Sequence, residues 1–338
     1  MDSDPKHIRT ISFLRVFFML MIFVHHCDFS YGGGGCAVTA FFMISGFCMT
    51  LRYGDKVLHG NFSWWNYFKR RAIKVYPMHW IGLLLMWCLT GCYLHFGPKF
   101  IGTITLNAAL LQSWIPEKTV YFSYNSPSWY LCDLLFFVAI FPYLYRWINR
   151  LSTQGKLLLL GFGVALIMVL SLFMSHDLRH AYLYINPAAR VVDCLVGVYL
   201  AMAFKKIVES DSINALSKHV GYVDVGIFVL LAIVVAQSVT KIGYGTFYTT
   251  VNWITESALI LLVALRGIVE KRTIGLSILQ NKVIDYLGAC SLSFYILHVP
   301  VMNMLNKCNT AWGVDSKSFI GGVWLYSLLF YSVELRIN

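Results

Sequence analysis

The sequence predicts an all-α membrane protein, a polytopic bundle of about ten transmembrane helices. Of its 338 residues, 58% are hydrophobic and only 13% are charged, and the mean hydropathy is +0.64. So few polar side chains cannot cover a water-soluble globule of this size. The ten Trp residues and the 16% aromatic content suit anchoring at two membrane–water interfaces. The same composition excludes disordered, collagen-like and coiled-coil proteins.

Apolar stretches close to the length that crosses a bilayer recur along the chain. We expect spans at 11–27, 36–51, 76–96, 129–145, 157–174, 188–204, 220–239, 251–265, 290–306 and 318–333. A shorter stretch at 101–115 contains several polar side chains and is the weakest candidate. No repeat, low-complexity stretch or soluble segment is visible. Residues 1–338 are therefore expected to form a single membrane domain with no fused soluble domain.

The basic residues decide whether 101–115 crosses the membrane, because Lys and Arg accumulate in short cytoplasmic loops. If this stretch spanned, the loop containing Arg146, Arg150 and Lys156 would lie outside, and every later basic loop would be inverted. We therefore predict ten spans, both termini cytoplasmic, and a non-spanning outer-face segment near 101–115. The net charge of +11 then reflects topology. Nucleic acid is not expected as a partner, since the basic residues are dispersed between apolar runs.

Arg15 and His26 both lie in the first apolar run. A charged side chain in the middle of a span costs about 2.5–3.5 kcal/mol, so such a group suggests a function. On a helix these residues are separated by a rise of about 16 Å and an angle of about 20°, which places them on one face. His25 is turned about 80° away, which favours His26. The alternative is a snorkelling arginine and an interfacial histidine, each satisfied by water or headgroups.

Acidic residues fall in the outer halves of predicted spans, at the depth of His26. Arg190 and Asp193 are three residues apart, so they share a helix face and are expected to neutralise each other. A neutral histidine oriented by a carboxylate suits a general base for a hydroxyl. Asp133 is the first candidate partner of His26, and Glu256 is the second.

A basic cluster, Lys69-Arg70-Arg71-Ala-Ile-Lys74, stands just before the third predicted span and is followed by Tyr76-Pro77. Arg and Lys in such a cluster can bind phosphates. Positive-inside topology alone also predicts basic residues at this place, so both interpretations stay open.

His176 and His180 have a spacing that could hold a metal ion, but no third ligand is evident in the sequence. We expect solvated histidines on an outer loop and no metal site.

A set of motifs extends over nearly the whole chain. It comprises Arg15 with His26, Phe41-Phe42-Met43-Ile44-Ser45-Gly46-Phe47, Lys69-Arg70-Arg71, Tyr76-Pro77, the Trp-led stretch 129–142, Pro187-Ala-Ala-Arg190 with Gly197, Ser291-Leu-Ser293-Phe-Tyr295-Ile-Leu-His298-Val-Pro300, and Glu334. This pattern resembles the acyltransferase-3 family of polytopic membrane acyltransferases. Many members carry Glu a few residues after the Trp of the middle motif, where this chain has Asp133.

The resemblance implies O-acylation, most often acetylation, of a cell-surface or exported glycan. Acyl-CoA is the implied donor, with no permanently bound cofactor, and the expected partners are a glycan or lipid-linked saccharide and membrane lipids. The implied location is a bacterial inner membrane. His26 would deprotonate the hydroxyl or carry the acyl group, with Asp133 and Glu256 as its acidic partners. The expected substrate-binding residues are Arg15, Ser45, Arg70, Arg71, Lys74, Tyr76 and Arg190.

Two other classes of protein also need charges inside the membrane. A transporter or flippase for lipid-linked glycans predicts inverted repeats and broken spans, and no internal symmetry is visible. A non-catalytic scaffold predicts charge pairs that are fully mutual. At the depth of Arg15 the sequence offers Glu334 as its candidate acid.

Overall fold

The computed structural model describes residues 8–26, 34–90, 97–210, 212–240, 250, 252–269 and 271–312. Fifteen α-helices and no strand occur in these ranges, which confirms the all-α class. The helices are α1 Thr10–His26, α2 Gly34–His59, α3 Trp64–Thr90, α4 Pro98–Ala108, α5 Lys118–Tyr121, α6 Trp129–Arg150, α7 Thr153–Phe173, α8 His176–Arg179, α9 Pro187–Val208, α10 Ser212–Lys218, α11 Val220–Thr240, α12 Trp253–Ile268, α13 Ile274–Leu279, α14 Lys282–Ala289 and α15 Ser291–Trp312.

Among the described residues, five helices are long and apolar enough to cross a membrane: α2, α3, α6, α7 and α11. A sixth span results if the segments Ile274–Ala289 and Ser291–Met304, which meet at 54°, are counted as one. Their composition makes this an integral membrane protein.

Three predicted spans correspond to helices that fall short of a full apolar span. The runs 11–27 and 251–265 form α1, of 17 residues, and α12, of 16 residues. The run 188–204 forms α9, which carries Arg190, Asp193, Lys205 and Lys206. The run 318–333 and both termini lie outside the described residues. The count of ten spans and the cytoplasmic termini therefore stay predictions.

Residues 101–115 form no helix long enough to span. They comprise most of α4, a turn at Leu110 with a φ of 56°, and a short 3-10 helix at Gln112–Trp114. The side chains of Gln112 and Ser113 are fully buried. Gln112 donates to Ser128 Oγ at 3.0 Å, and Ser113 donates to Trp129 O at 3.0 Å. This segment therefore docks into the bundle, as the charge distribution predicts for a non-spanning segment.

Helix α3 begins earlier than the sequence predicts. The third apolar run was expected to start at 76, but α3 begins at Trp64 and continues through Pro77. The basic cluster therefore lies on the helix itself instead of in a loop before it. Tyr76 donates its hydroxyl to Ala109 O at 3.1 Å, and Trp80 Nε1 donates to Ala108 O at 3.0 Å. Both bonds hold the end of α4 against the middle of α3.

Helices α2 and α9 pack so closely that only glycine fits at the crossing. A Cβ added at Gly197 would lie 1.9 Å from Met43 O, and one added at Gly46 would lie 2.0 Å from Cys194 O. Helix α1 packs against α2, α12, α14 and α15, so it lies inside the bundle. This central position surrounds Arg15 and His26 with other helices.

Candidate active site

His26 is the last residue of α1 and lines a cavity of about 420 Å³. The wall is formed by α1, the start of α2, residues 122–129, a π-helix at His180–Ile185, and α15. We call this space the His26 cavity. Aromatic and imidazole side chains dominate its wall, which includes His25, Phe122, Trp129, His180, Tyr184 and Tyr295. A cavity lined by aromatic side chains and a few polar groups is typical of a ligand-binding site. His25 lines the cavity as well, which its angle on α1 did not predict.

The hydrogen bond made by His26 defines its tautomer. Nδ1 lies 2.9 Å from Ile22 O. A carbonyl oxygen only accepts, so Nδ1 carries the hydrogen and Nε2 of the neutral ring carries the lone pair. Nε2 is therefore the atom able to take a proton from a hydroxyl or to attack an acyl carbon. A backbone carbonyl orients the ring at the position where we expected a carboxylate.

His298 packs against His26, a contact that the sequence analysis did not predict. The ring centroids are 4.8 Å apart and the planes meet at 75°. Nδ1 of His298 lies 2.7 Å from Tyr295 O, so the lone pair of this ring is also on Nε2. That Nε2 is buried without a hydrogen-bond partner. Its contact with His26 distinguishes it from the other buried polar atoms without a hydrogen-bond partner in the described residues.

Arg15 lines a second, smaller cavity of about 190 Å³, together with Ser45, Tyr130 and residues at the junction of α14 and α15. We call it the Arg15 cavity. Nη2 of Arg15 lies 3.4 Å from Cys48 Sγ. Within the described ranges no acidic side chain forms a salt bridge with Arg15, and Glu334 lies outside them. Tyr295 lines both cavities, so one side chain lies between the cavity of Arg15 and that of His26.

Ser45 lies on the wall of the Arg15 cavity, and its binding of substrate stays a prediction. Its hydroxyl donates to Phe41 O at 2.8 Å, within α2. A hydroxyl bonded in this way keeps its lone pairs for a second partner.

Asp133 and Glu256 are buried, but neither lines the His26 cavity. Both carboxylate oxygens of Asp133 lack a hydrogen-bond partner. Glu256 accepts a hydrogen bond from Cys36 Sγ at 2.8 Å, and its other oxygen is unpaired. No hydrogen bond joins either acid to His26 in the part of the chain that the structure describes. Their catalytic roles stay predictions.

Arg190 stands behind the wall of the His26 cavity. Nη1 donates to Asp193 at 2.6 Å, and Nε donates to Tyr184 O at 2.7 Å. Trp253 Nε1 donates to the second oxygen of Asp193 at 2.6 Å. The guanidinium carbon lies 4.4 Å from the ring centre of Tyr184 and 5.8 Å from that of Trp129, and both rings line the cavity. Arg190 therefore supports the aromatic wall, and its predicted contact with substrate stays a prediction.

The basic residues of α3 lie apart from the Arg15 cavity. Arg70 and Lys74 are exposed, and Arg71 is half-buried with its guanidinium 4.9 Å from the ring centre of Tyr53. None of the three lines the Arg15 cavity. Tyr76, on the same helix, is engaged with α4. The structure therefore leaves phosphate binding by this cluster as a proposal.

His180 lines the His26 cavity, where we expected a solvated histidine. Its Nδ1 is 3.1 Å from the hydroxyl oxygen of Tyr121. Burial and, to a smaller extent, the neighbouring basic groups of His176, Lys118 and Arg190 together lower the pKa of His180 from 6.5 to about 4. Its imidazole is therefore neutral at neutral pH. The sequence offered no signal for this contact, since it depends on how the π-helix folds over α5.

No group of three or more His, Cys, Asp or Glu side chains suited to a metal ion occurs in the described ranges. The chemistry available at the site is that of imidazoles among aromatic side chains. A histidine in this setting can serve as a base or as a nucleophile.

Comparison with known proteins identifies the protein family to which this chain belongs. A family model of the acyltransferase-3 type, described as an acyltransferase domain, matches residues 8–333. Acyltransferase MdmB of Streptomyces mycarofaciens is 24% identical over 287 residues, which cover 80% of this chain and 68% of MdmB. No solved structure matches the chain.

Proposed function

Because this chain belongs to the acyltransferase-3 family, we propose that it transfers an acyl group from acyl-CoA to a hydroxyl of a cell-surface or exported glycan. That it is an acyltransferase follows from the family. The proposal goes further than the family in four respects. It names acetyl as the first acyl group to test, a CoA thioester as the donor, a glycan as the acceptor, and the inner membrane of a bacterium as the location.

The observation that carries the proposal is the environment of His26. Its Nδ1 is held by Ile22 O, and its Nε2 lone pair belongs to a side chain that lines a cavity of about 420 Å³. Transfer of an acyl group to a hydroxyl needs a group that removes the hydroxyl proton or first accepts the acyl group. His26 has the tautomer required for either role.

Two routes satisfy the balance of atoms. In the first, His26 Nε2 removes the proton while the hydroxyl oxygen attacks the thioester carbonyl, and the carbon–sulfur bond breaks to release CoA, which takes up the proton. In the second, Nε2 attacks the carbonyl and the carbon–sulfur bond breaks to release the CoA thiolate. The hydroxyl oxygen then attacks the acyl carbon, the carbon–nitrogen bond to His26 breaks, and the hydroxyl proton passes to the freed Nε2 and from there to the thiolate. The structure is compatible with both routes.

Arg15 and the basic cluster of α3 provide positive charge for the CoA end of the donor. Arg is suited to phosphate because its guanidinium offers a planar pair of donors, and Lys contributes a point charge. We propose that Arg70, Arg71 and Lys74 bind the nucleotide phosphates. The thiol arm of CoA would enter the Arg15 cavity beside Ser45. The carboxyl groups of Asp133 and Glu256 would contribute to balancing the buried positive charge of Arg190.

The transporter hypothesis is not favoured, because the family is one of acyltransferases. A transporter would differ from an acyltransferase in one measurable way: it would move glycan across the membrane without changing it covalently. The experiment below measures that property together with transfer.

The test is acyl transfer from radiolabelled acetyl-CoA to envelope glycan in membranes that contain the wild type, His26→Ala or His176→Ala at matched expression. His176 is exposed on α8 and does not line the His26 cavity, so it is a control for loss of a histidine. We expect the wild type and His176→Ala to label glycan equally. We expect His26→Ala to lose at least about 100-fold in rate, the lower range for loss of acid–base catalysis.

Equal labelling by His26→Ala would refute the assignment of His26. Absence of label in every membrane, for acetyl-, propionyl- and succinyl-CoA alike, would refute acyl-CoA as donor. If unlabelled glycan still crossed the membrane in that case, the transporter hypothesis would replace ours. Label that stays on the wild-type protein when acceptor is omitted would select the acyl-histidine route.

A further inference from the structure

Resting on the proposed function, we infer that Tyr295 is a partition between the donor and acceptor sides of the site and determines which acyl groups pass. Tyr295 lines the His26 cavity and also the Arg15 cavity. An acyl group that enters beside Arg15 and reacts at His26 has to move past this side chain.

The position of Tyr295 follows from the break between α14 and α15. The helical segments before and after Cys290 meet at 54°. Gly288 and Ser291 flank this break and line the Arg15 cavity. Tyr295 lies one helical turn after Ser291, so its ring comes between the break and the His26 cavity.

Three contacts hold the ring of Tyr295 across the passage. Its hydroxyl donates to Pro127 O at 3.1 Å. Its ring meets that of Tyr130 edge to face, with centroids 5.0 Å apart. Its ring centroid is 5.8 Å from that of His298, the neighbour of His26. Tyr295 is 6% exposed, so the ring is enclosed by these neighbours.

The opposite side of the passage is formed by Tyr130, which is 5% exposed. Tyr130 packs on Phe42 with ring centroids 4.7 Å apart and on Phe41 at 6.3 Å, so α2 clamps it from behind. An acyl group can therefore gain space by displacing Tyr295 from Pro127 O. Pro127 itself lines the His26 cavity, so displacement of Tyr295 changes the wall on the acceptor side.

The partition separates small from large acyl groups. The space on the donor side is about 190 Å³ and that on the acceptor side about 420 Å³. A longer chain needs a larger displacement of Tyr295 from both Tyr130 and Pro127. The structure therefore favours short acyl groups such as acetyl, with Tyr295 as the specificity-determining residue.

The selectivity test compares initial rates with acetyl-CoA and hexanoyl-CoA for the wild type, Tyr295→Phe, Tyr295→Leu and Tyr295→Ala. Tyr143→Ala is the matched control, because Tyr143 is 60% exposed on α6 and lies outside both cavities. We expect the hexanoyl-to-acetyl ratio to rise at least about tenfold in Tyr295→Ala and less in Tyr295→Leu. Tyr295→Phe retains the ring and should keep the ratio within about threefold of the wild type. An unchanged ratio in both Tyr295→Leu and Tyr295→Ala would overturn the inference.

A second measurement needs no catalysis. Tyr295→Cys is treated with a small membrane-impermeant thiol reagent applied to one side of sealed vesicles at a time, and its labelling is compared with that of the parent chain. Labelling from both sides is expected, since the residue lines both cavities. Labelling from one side or from neither would overturn the partition. If the wild type transferred no acyl group at all, the proposed function would fail, and this measurement would still decide the partition.

Discussion

His26 and His298 show how a single hydrogen bond defines the reactivity of an imidazole. Each Nδ1 donates to a backbone carbonyl, and each Nε2 therefore carries the lone pair. The two rings are in contact, but they differ in surroundings: His26 lines a cavity, whereas Nε2 of His298 is buried and unpaired. An unpaired buried nitrogen costs stability, and its place beside His26 makes it a candidate for a role in the site.

His298→Phe tests this interpretation. Phenylalanine keeps the ring that packs on His26 but removes both nitrogens, so the bond to Tyr295 O is lost and the unpaired Nε2 is removed. These effects oppose each other, and the free energy of unfolding should stay within about 1 kcal/mol of the wild type. We expect kcat to fall about tenfold or more. The measurements are denaturant unfolding in detergent and transfer kinetics. A loss of activity that is matched by a loss of folded protein would instead identify a purely structural histidine.

The pKa of His180 predicts a pH dependence of stability. Its pKa in the folded protein is about 4, below the ordinary 6.5, so between these values the unfolded chain binds a proton that the folded chain does not. The stabilising effect of neutral His180 is complete above pH 6.5 and is lost as the pH falls toward 4. His180→Asn should therefore lose less thermal stability than the wild type between pH 7.5 and 5. His59→Asn, an exposed control at the end of α2, should follow the wild type, and identical profiles for all three proteins would contradict the prediction.

At the scale of elements, glycines decide how close two helices approach. The Gly46 and Gly197 motif positions face the backbone of the partner helix, and an added Cβ would meet a carbonyl oxygen at about 2 Å. Small residues at such crossings let helices pack in a membrane. The crossing of α2 and α9 brings Thr39 to 3.3 Å from Arg190, so it also positions the support of the cavity wall.

Gly197→Ala should therefore damage the fold. The methyl group has to displace backbone at Met43, and overpacking of this kind costs typically about 1–3 kcal/mol. Gly161→Ala is the matched control in α7, since nothing lies within 4 Å of its added Cβ. We expect the thermal midpoint in detergent to fall in Gly197→Ala and to stay equal or rise in Gly161→Ala. Equal midpoints in the two variants would show that the crossing can relax.

At the scale of the whole molecule, two cavities meet at Tyr295 within a bundle of apolar helices. Arg15 lines one cavity and His26 the other, and on α1 they are about 16 Å apart along the axis. This arrangement suits a reaction whose two substrates arrive from opposite sides of a membrane. That interpretation depends on the membrane topology, because the topology decides which side of the membrane each cavity faces.

The topology can be tested at lysines that lie before the segment 101–115 and after α6. If this segment does not span, Lys99 is outside and Lys156, near the start of α7, is inside. If it spans, both lie on the same side. We expect Lys99→Cys to react with an impermeant thiol reagent in intact cells and Lys156→Cys to react only after permeabilisation. Lys118→Cys, which follows the segment directly, should also react in intact cells if the segment does not span. Protection of Lys118→Cys in intact cells, or reaction of Lys156→Cys there, would refute the ten-span topology.

The sequence by itself determined the class of this protein. Apolar content and the length of apolar runs establish a helical membrane bundle, because the bilayer imposes those properties on each helix separately. Motif spacing identified the acyltransferase-3 family, which the family match confirms. Helical geometry placed Arg15 and His26 on one face, because their spacing of eleven residues on a single helix leaves an angle of only about 20° between them.

Only the tertiary structure decided which residues meet across helices. It brought His298, Tyr295 and His180 to His26 and Arg15, and it gave His26 a backbone carbonyl as its orienting acceptor. The sequence placed both Asp133 and Glu256 at the membrane depth of His26, so either could have been its partner. The structure buries both of them away from the His26 cavity. The physical reason is that depth and helical phase are properties of a single helix. Contact between helices depends on how closely each pair packs, and at α2 and α9 that distance is set by the absence of a Cβ.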